Sequence, residues 1–336
     1  MPVSFSQLSV EWSIALGLIA VLMIGGSLLQ SVMNRNFEVV SALIGPPRGQ
    51  ERYVQLKNQL IDLRQRMHSW WIMLAAVSVA LVVGPLGITA FFALCAMQAC
   101  REVLSHTPDG RQTHQFMAIT LFGLIPLGFG LVALGDPALG FLLVSIVGLA
   151  ALCLNGGTTN ALLSRTVVLA STLSLMALSQ IAFASTPLQP GIQISDWFIG
   201  VGSMFLLHLL IVAQASDALQ YSFGKSFGRT PLAPKISPNK TWEGAIGGAG
   251  TATLLGTVLA LTLGFSLWQA ILVSLITAAL GIAGGLLSSA IKRKWGIKDW
   301  SHLIPGHGGV LDRIDSLVLA APAYLMMTLW FQPGVL

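Results

Sequence analysis

Charge is what this sequence has least of. Lys, Arg, Asp and Glu make up 9% of its 336 residues, while 54% are apolar. Soluble domains carry about a quarter charged residues, so this balance excludes an ordinary soluble fold. Cysteine is scarce as well: Cys95, Cys100 and Cys153 all fall in apolar stretches. Three such residues at these spacings make neither a disulfide framework nor a zinc or redox motif, and they read as small buried hydrophobes. Metal-ligand spacing is equally absent from the six histidines, and His208, alone in an apolar run, reads as a packed residue. The Phe223–Ser226 stretch FGKS lacks the leading glycine of a Walker loop, since Leu219 stands in its place. No Lys or Arg precedes the first apolar stretch, Trp12 to Met33, and no small-residue cleavage site follows it. It is expected to be a retained first helix rather than a signal peptide.

What the sequence does have is long apolar runs. A helix of about 20 residues spans the hydrocarbon core, and backbone groups in lipid must bond internally. The fold class is therefore all-α, a polytopic transmembrane helical bundle. Expected spans are 12–33, 70–84, 86–104, 117–134, 137–154, 162–184, 197–220, 245–264, 268–290 and 310–331. The 70–104 stretch, broken at Gly84-Pro85, is read either as two crossings or as a re-entrant hairpin.

Basic residues set the orientation. With about ten spans and an outside N-terminus, all 18 Lys and Arg residues fall on or beside the cytoplasmic face, while Glu11, Asp136 and Asp196 face outward. The net charge of +5 is then a property of one face, suited to anionic lipid headgroups, and no nucleic-acid partner is expected. The organisation divides into N-terminal helices, 1–200, with an amphipathic surface segment at 34–69, and a C-terminal region, 201–336, with cytoplasmic loops at 222–244 and 291–309.

Two segments gather the polar chemistry. Ser216–Gly244 and Ser289–Ser316 together hold nine of the 18 basic and five of the 13 acidic residues. Cations neutralise phosphate, glycines admit close backbone approach to anions, and carboxylates hold Mg²⁺ while phosphates complete its shell. Asp312 and Asp315, three apart, share a helix face. Either alone reads as a first-turn acid complementing a helix dipole, but the Gly306-His307-Gly308-Gly309 turn and four upstream cations favour a site. Asp217, near the end of a span, is either a functional intramembrane acid or a hydrogen-bonded partner for Lys225 or another boundary cation.

The run SAIKRKWGIKDWSHLIPGHGGVLDRID resembles the signature of the phosphatidate cytidylyltransferase family. Ser289, Lys292, Arg293, Lys298, Asp299, Pro305, Gly306, His307, Gly308, Gly309, Asp312, Arg313 and Asp315 meet its fixed positions. SPNKTWEG at Ser237–Gly244 and YSFGKSFGR at Tyr221–Arg229 are similar to two further family elements.

The resemblance implies an integral membrane enzyme, of a bacterial inner membrane, that condenses CTP with phosphatidic acid into CDP-diacylglycerol and pyrophosphate. It implies Mg²⁺ held by Asp217, Asp312 and Asp315, with room for a second cation. Asp312, Asp315, Lys298, Arg313 and His307 would be catalytic. Ser237, Lys240, Lys292, Arg293, Lys225, Gly306, Gly308 and Gly309 would bind substrate, and Asp299 would orient Lys298. A homodimer follows by family analogy alone. The chain departs from the family just before the signature: Gly285 and Ser288 stand where two acids are expected. A relative with another acceptor, or one that binds lipid or nucleotide without turnover, is the alternative this departure keeps open.

Overall fold

The computed structural model describes residues 71–107, 111–154, 159–183 and 201–332, together with Ile24, Ser31, Gln65, His68 and Ser69. Most of the span expected at 12–33 and of the surface segment at 34–69 lies outside the described residues. From Trp71 on the described residues are mostly helix. In order come α1 (Trp71–Val83), α2 (Pro85–His106), α3 (Arg111–Ile119), α4 (Ile125–Ala133), α5 (Pro137–Leu154), α6 (Thr159–Phe183) and α7 (Val201–Phe227). A small hairpin, β1 (Pro231–Ala233) and β2 (Ser237–Thr241), leads into α8 (Trp242–Thr262), α9 (Leu267–Lys294), α10 (Leu311–Ile314) and α11 (Leu317–Phe331).

Six helical runs among the described residues are long and apolar enough to cross a membrane, and three shorter apolar helices accompany them. The protein is a polytopic membrane protein, and the expected spans from 70–84 onward each fall on one of these helices. Two boundaries differ. α7 and α9 extend to Phe227 and Lys294, so much of the loop expected at 222–244 is helix or hairpin, and the loop expected at 291–309 begins after Lys294. The stretch 310–316 is not part of the last long helix but a separate short turn, α10, ahead of α11.

Local sequence accounts for the breaks. Gly84 takes φ +88°, which a side chain would resist, and Pro85 opens α2 where no N–H is needed. Between α3 and α4 the helix widens into a π turn, Thr120–Leu124, just ahead of Pro126.

Among the described residues two units are distinguished: those up to Ser78 with His302–Gly308, and those from Val79 to Ser301 with Gly309 onward. In the first, Pro305-Gly306 forms a tight turn. His307 N–H donates to the Ile304 carbonyl, Ile304 N–H donates to that of Gly308, and Gly306 takes φ +74°. That is the position where a type II turn needs glycine. Ser69 Oγ donates to the Pro305 carbonyl at 2.8 Å.

In the second unit α7 packs on α8, α8 on α9, α9 on α11, and α11 on α6, which also contacts α2. Small residues make the closest of these approaches possible. Gly244, Gly248, Ala252, Gly256 and Ala260 recur every four residues along α8 and are all buried. A β-carbon on Gly248 would stand 2.6 Å from the Gln220 backbone nitrogen on α7. This is close small-residue packing of the kind that holds helices together in lipid. His208 is packed, as expected: its ring meets Tyr324 Oη at 2.9 Å and the Gly256 carbonyl at 3.0 Å.

Candidate functional site

The hairpin comes first, because its residues explain much of the SPNKTWEG element. Thr241 caps α8 by accepting from Gly244 N–H at 3.1 Å. Glu243 accepts from the backbone N–H groups of Arg229 and Thr230 and from the Thr230 hydroxyl, fixing the entry to β1. A β-carbon on Gly244 would lie 2.6 Å from the Gln220 carbonyl oxygen, so this glycine is needed for helix packing. These three residues build the scaffold. Ser237 and Lys240, both on β2 and partly buried, are the pair left for chemistry.

β2 rests against α7, α8 and α9. This brings Lys240 from β2, Asp217 from α7, Lys292 from α9 and Arg313 from α10 within electrostatic reach of Asp315, the residue that follows α10. Two carboxylates thus share a site with three cations. Burial pushes the Asp315 carboxyl up to about 6; Asp217 adds to the rise, while Lys292, Arg313 and Lys240 oppose it. The Arg313 Nε atom is buried with no hydrogen-bond partner among the described residues. A buried donor left in that state is a place for a ligand atom.

Asp312 is differently employed. Its Oδ1 receives Lys292 Nζ at 2.7 Å, and its Oδ2 receives the backbone N–H groups of Trp300 and Gly309, each at 2.8 Å. Both partners of the ion pair are buried. The sequence reading gave Asp312 a metal; the structure gives it Lys292 and two backbone donors, which tie α9 to the start of α10.

The other anticipated residues spread out. Arg293 is exposed and donates to the Ile236 and Ile297 carbonyls, clamping the hairpin turn to the end of α9. Lys298 is exposed, and Asp299 beside it is partly buried. Lys225 is exposed and stands 6.0 Å from the Tyr221 ring centroid. Gly306, His307 and Gly308 belong to the unit that carries Ser69. Gly309 is buried beside Asp312, to which its N–H donates.

The two positions where acids were expected are filled in a definite way. A β-carbon on Gly285 would stand 3.3 Å from Lys240 Nζ, so the ammonium lies beside the bare backbone. Ser288 Oγ accepts from the Trp300 indole N–H at 3.3 Å, and that indole is 1% exposed.

One residue that sequence reasoning passed over is Glu102. It sits in α2, is 2% exposed, and accepts from Val310 and Leu311 N–H and from Ser301 Oγ, each at 2.9 Å. An acid inside an expected span was the signal available for it.

Among the described residues, no three His, Cys, Asp or Glu side chains converge as a metal cage. Mg²⁺ seldom uses one; it takes one or two carboxylates and completes its shell with water and substrate phosphates. Asp217 and Asp315 fit that smaller demand.

The profile of the Cytidylyltransferase family matches residues 64–331. The uncharacterized protein YnbB of Escherichia coli (strain K12) is 32% identical over 284 residues, 78% of this chain and 86% of that protein. The phosphatidate cytidylyltransferase of Haemophilus influenzae is 44% identical over 129 residues, 37% of this chain and 45% of the relative. That of Brucella abortus is 41% identical over 137 residues, 40% and 51%. The chain spans about half the length of these two named enzymes. A match over most of the chain makes this protein a member of the cytidylyltransferase family.

Proposed function

We propose that the protein transfers a cytidylyl group from CTP to phosphatidic acid, giving CDP-diacylglycerol and pyrophosphate. The observation that carries this reading is the gathering around Asp315 of Asp217 from α7, Lys240 from β2, Lys292 from the last turn of α9 and Arg313 from α10. Such a place lets a soluble nucleotide meet a lipid headgroup, and it suits an integral protein of a bacterial inner membrane. The lipid phosphate oxygen attacks the α-phosphorus and pyrophosphate leaves, so no protein nucleophile is required. Catalysis is then positioning and charge neutralisation. Asp217 and Asp315 hold Mg²⁺, which supplies charge neutralisation at the phosphates. Lys240 and Arg313 bind phosphate oxygens, Arg313 Nε being a buried donor with no partner among the described residues. Lys292 is committed to Asp312 and acts mainly by holding it.

A second reading has its own support. Similarity to the named phosphatidate enzymes is confined to about half their length, while YnbB matches along most of its own. Lys240, beside Gly285, adds positive charge where an acid was expected. Both suit an acceptor other than phosphatidic acid that also presents a phosphate.

The test is turnover by the purified full chain in lipid nanodiscs, supplied with CTP and phosphatidic acid, with and without Mg²⁺, beside Asp315→Asn. Mg²⁺-dependent release of pyrophosphate and CDP-diacylglycerol, lost in the variant, is the expected result. CTP binding without turnover of phosphatidic acid would overturn the first reading and send the search to other lipid phosphates.

A further inference from the structure

The Asp312 carboxylate grips the backbone at Trp300 and Gly309. Glu102 grips the residues immediately beyond: Ser301 through its hydroxyl, and Val310 and Leu311 through their N–H groups. A fourth donor, Gln98 Nε2, reaches Glu102 Oε1 at 3.3 Å from one turn earlier on α2. The donors that meet this buried carboxylate are neutral, so its charge is spent on fixing the backbone. The fit is close enough to dictate a neighbour: a β-carbon on Gly309 would collide with the Glu102 carboxylate, 2.7 Å from its carboxyl carbon. This explains the second glycine of the Gly308-Gly309 pair without any ligand, since Gly309 has no unusual φ.

We propose that Glu102 is a positioning residue for the reaction, fixing from α2 both the chain at Ser301 and the segment beginning at Val310 that carries Asp312 and Asp315. The proposal rests on the cytidylyl-transfer reading of that site. Glutamine at 102 would keep the shape but turn an NH₂ group toward N–H donors. One oxygen would then have to serve Val310, Leu311 and Ser301. Partners that orient first-contact groups cost roughly 10–100-fold in metal affinity or activity when removed, which sets the scale expected here.

The experiment compares wild type, Glu102→Gln and Gly309→Ala as full chains in detergent, each first shown to be monodisperse. The two variants disturb one contact from opposite sides, so a folding failure in one leaves the other to decide. Two quantities are read: the Mg²⁺ concentration giving half-maximal CTP binding, and kcat with KM for phosphatidic acid. A Mg²⁺ requirement raised and kcat lowered by roughly 10–100-fold, with KM for phosphatidic acid unchanged, is expected. Wild-type Mg²⁺ dependence and kcat in either folded variant would overturn the proposal. So would losses that merely track the folded fraction. A wild type that binds CTP yet leaves phosphatidic acid untouched would sink the phosphatidate reading alone, and the binding comparison would still judge Glu102.

Discussion

The ammonium of Lys240 stands 3.3 Å from the point where a β-carbon on Gly285 would lie. A cation from the hairpin thus lies beside α9 at the position where the family resemblance leads one to expect an acid. The neighbour is the far end of a flexible side chain, so Gly285→Ala should be tolerated. It should stabilise the protein by about 0.5–1 kcal/mol, the usual gain from removing a helical glycine. Gly285→Asp should pair with Lys240, release some positive charge from the cluster, and lower the Mg²⁺ needed for half-maximal activity. Gly284→Ala is the contrast, since its β-carbon would meet the Asp315 carbonyl oxygen at 2.5 Å. Thermal unfolding and Mg²⁺ titration of the three variants check this.

Breaking the Lys292–Asp312 pair should cost far more than its surface counterparts would. Removing one partner strands a buried charge, and such losses run to about 3–5 kcal/mol. Asp312→Asn or Lys292→Met should therefore lower the midpoint of thermal unfolding sharply. The double variant Lys292→Met/Asp312→Leu should recover part of that stability while remaining inactive, because the backbone N–H groups of Trp300 and Gly309 would still lack their acceptor.

Proton uptake at Asp315 gives a pH signature. Its folded value is raised from 3.8 to about 6 by burial, so the metal-free folded state holds a proton that the unfolded chain releases earlier. That contribution to stability is complete below pH 3.8 and is lost as pH rises through about 6. Mg²⁺ needs the deprotonated form, so the metal requirement runs the other way. Activity should fall as pH drops through about 6, and raising Mg²⁺ should move that midpoint lower. A pH profile at two Mg²⁺ concentrations reads the shift, and a midpoint indifferent to Mg²⁺ would argue against Asp315 as a ligand.

The glycine row on α8 gives a prediction independent of catalysis. Gly248→Leu would drive a side chain into the Gln220 and Ser216 backbone of α7. Overpacking of this kind costs about 1–3 kcal/mol or more. The variant should express poorly or unfold at lower temperature, whereas Gly250→Leu, whose β-carbon meets nothing within 4 Å, should not.

Much of this molecule was legible in its sequence because lipid makes composition decisive. The apolar runs place α1 through α9, and the break at Gly84-Pro85 is real. Burial of His208 followed from its apolar surroundings. The roles of the signature residues were less readable, because a motif records which residues travel together but not which of them touch. Asp312 was expected to hold metal and Arg293 to bind substrate; in the structure they hold backbone and side-chain groups of the protein itself. Glu102 lies 199 residues from Ser301, too far along the chain for any local pattern to join them.

The sequence by itself determined that this is a helical membrane protein with cytidylyltransferase elements near its end, because hydropathy and fixed motif spacing are properties of the chain. Only the tertiary structure decided how its charges are spent. A buried carboxylate must satisfy several donors at once, and which donors are near depends on how α2, α9 and the hairpin pack. That packing leaves Asp217 and Asp315 together among cations, and binds Asp312 and Glu102 to the backbone that carries them.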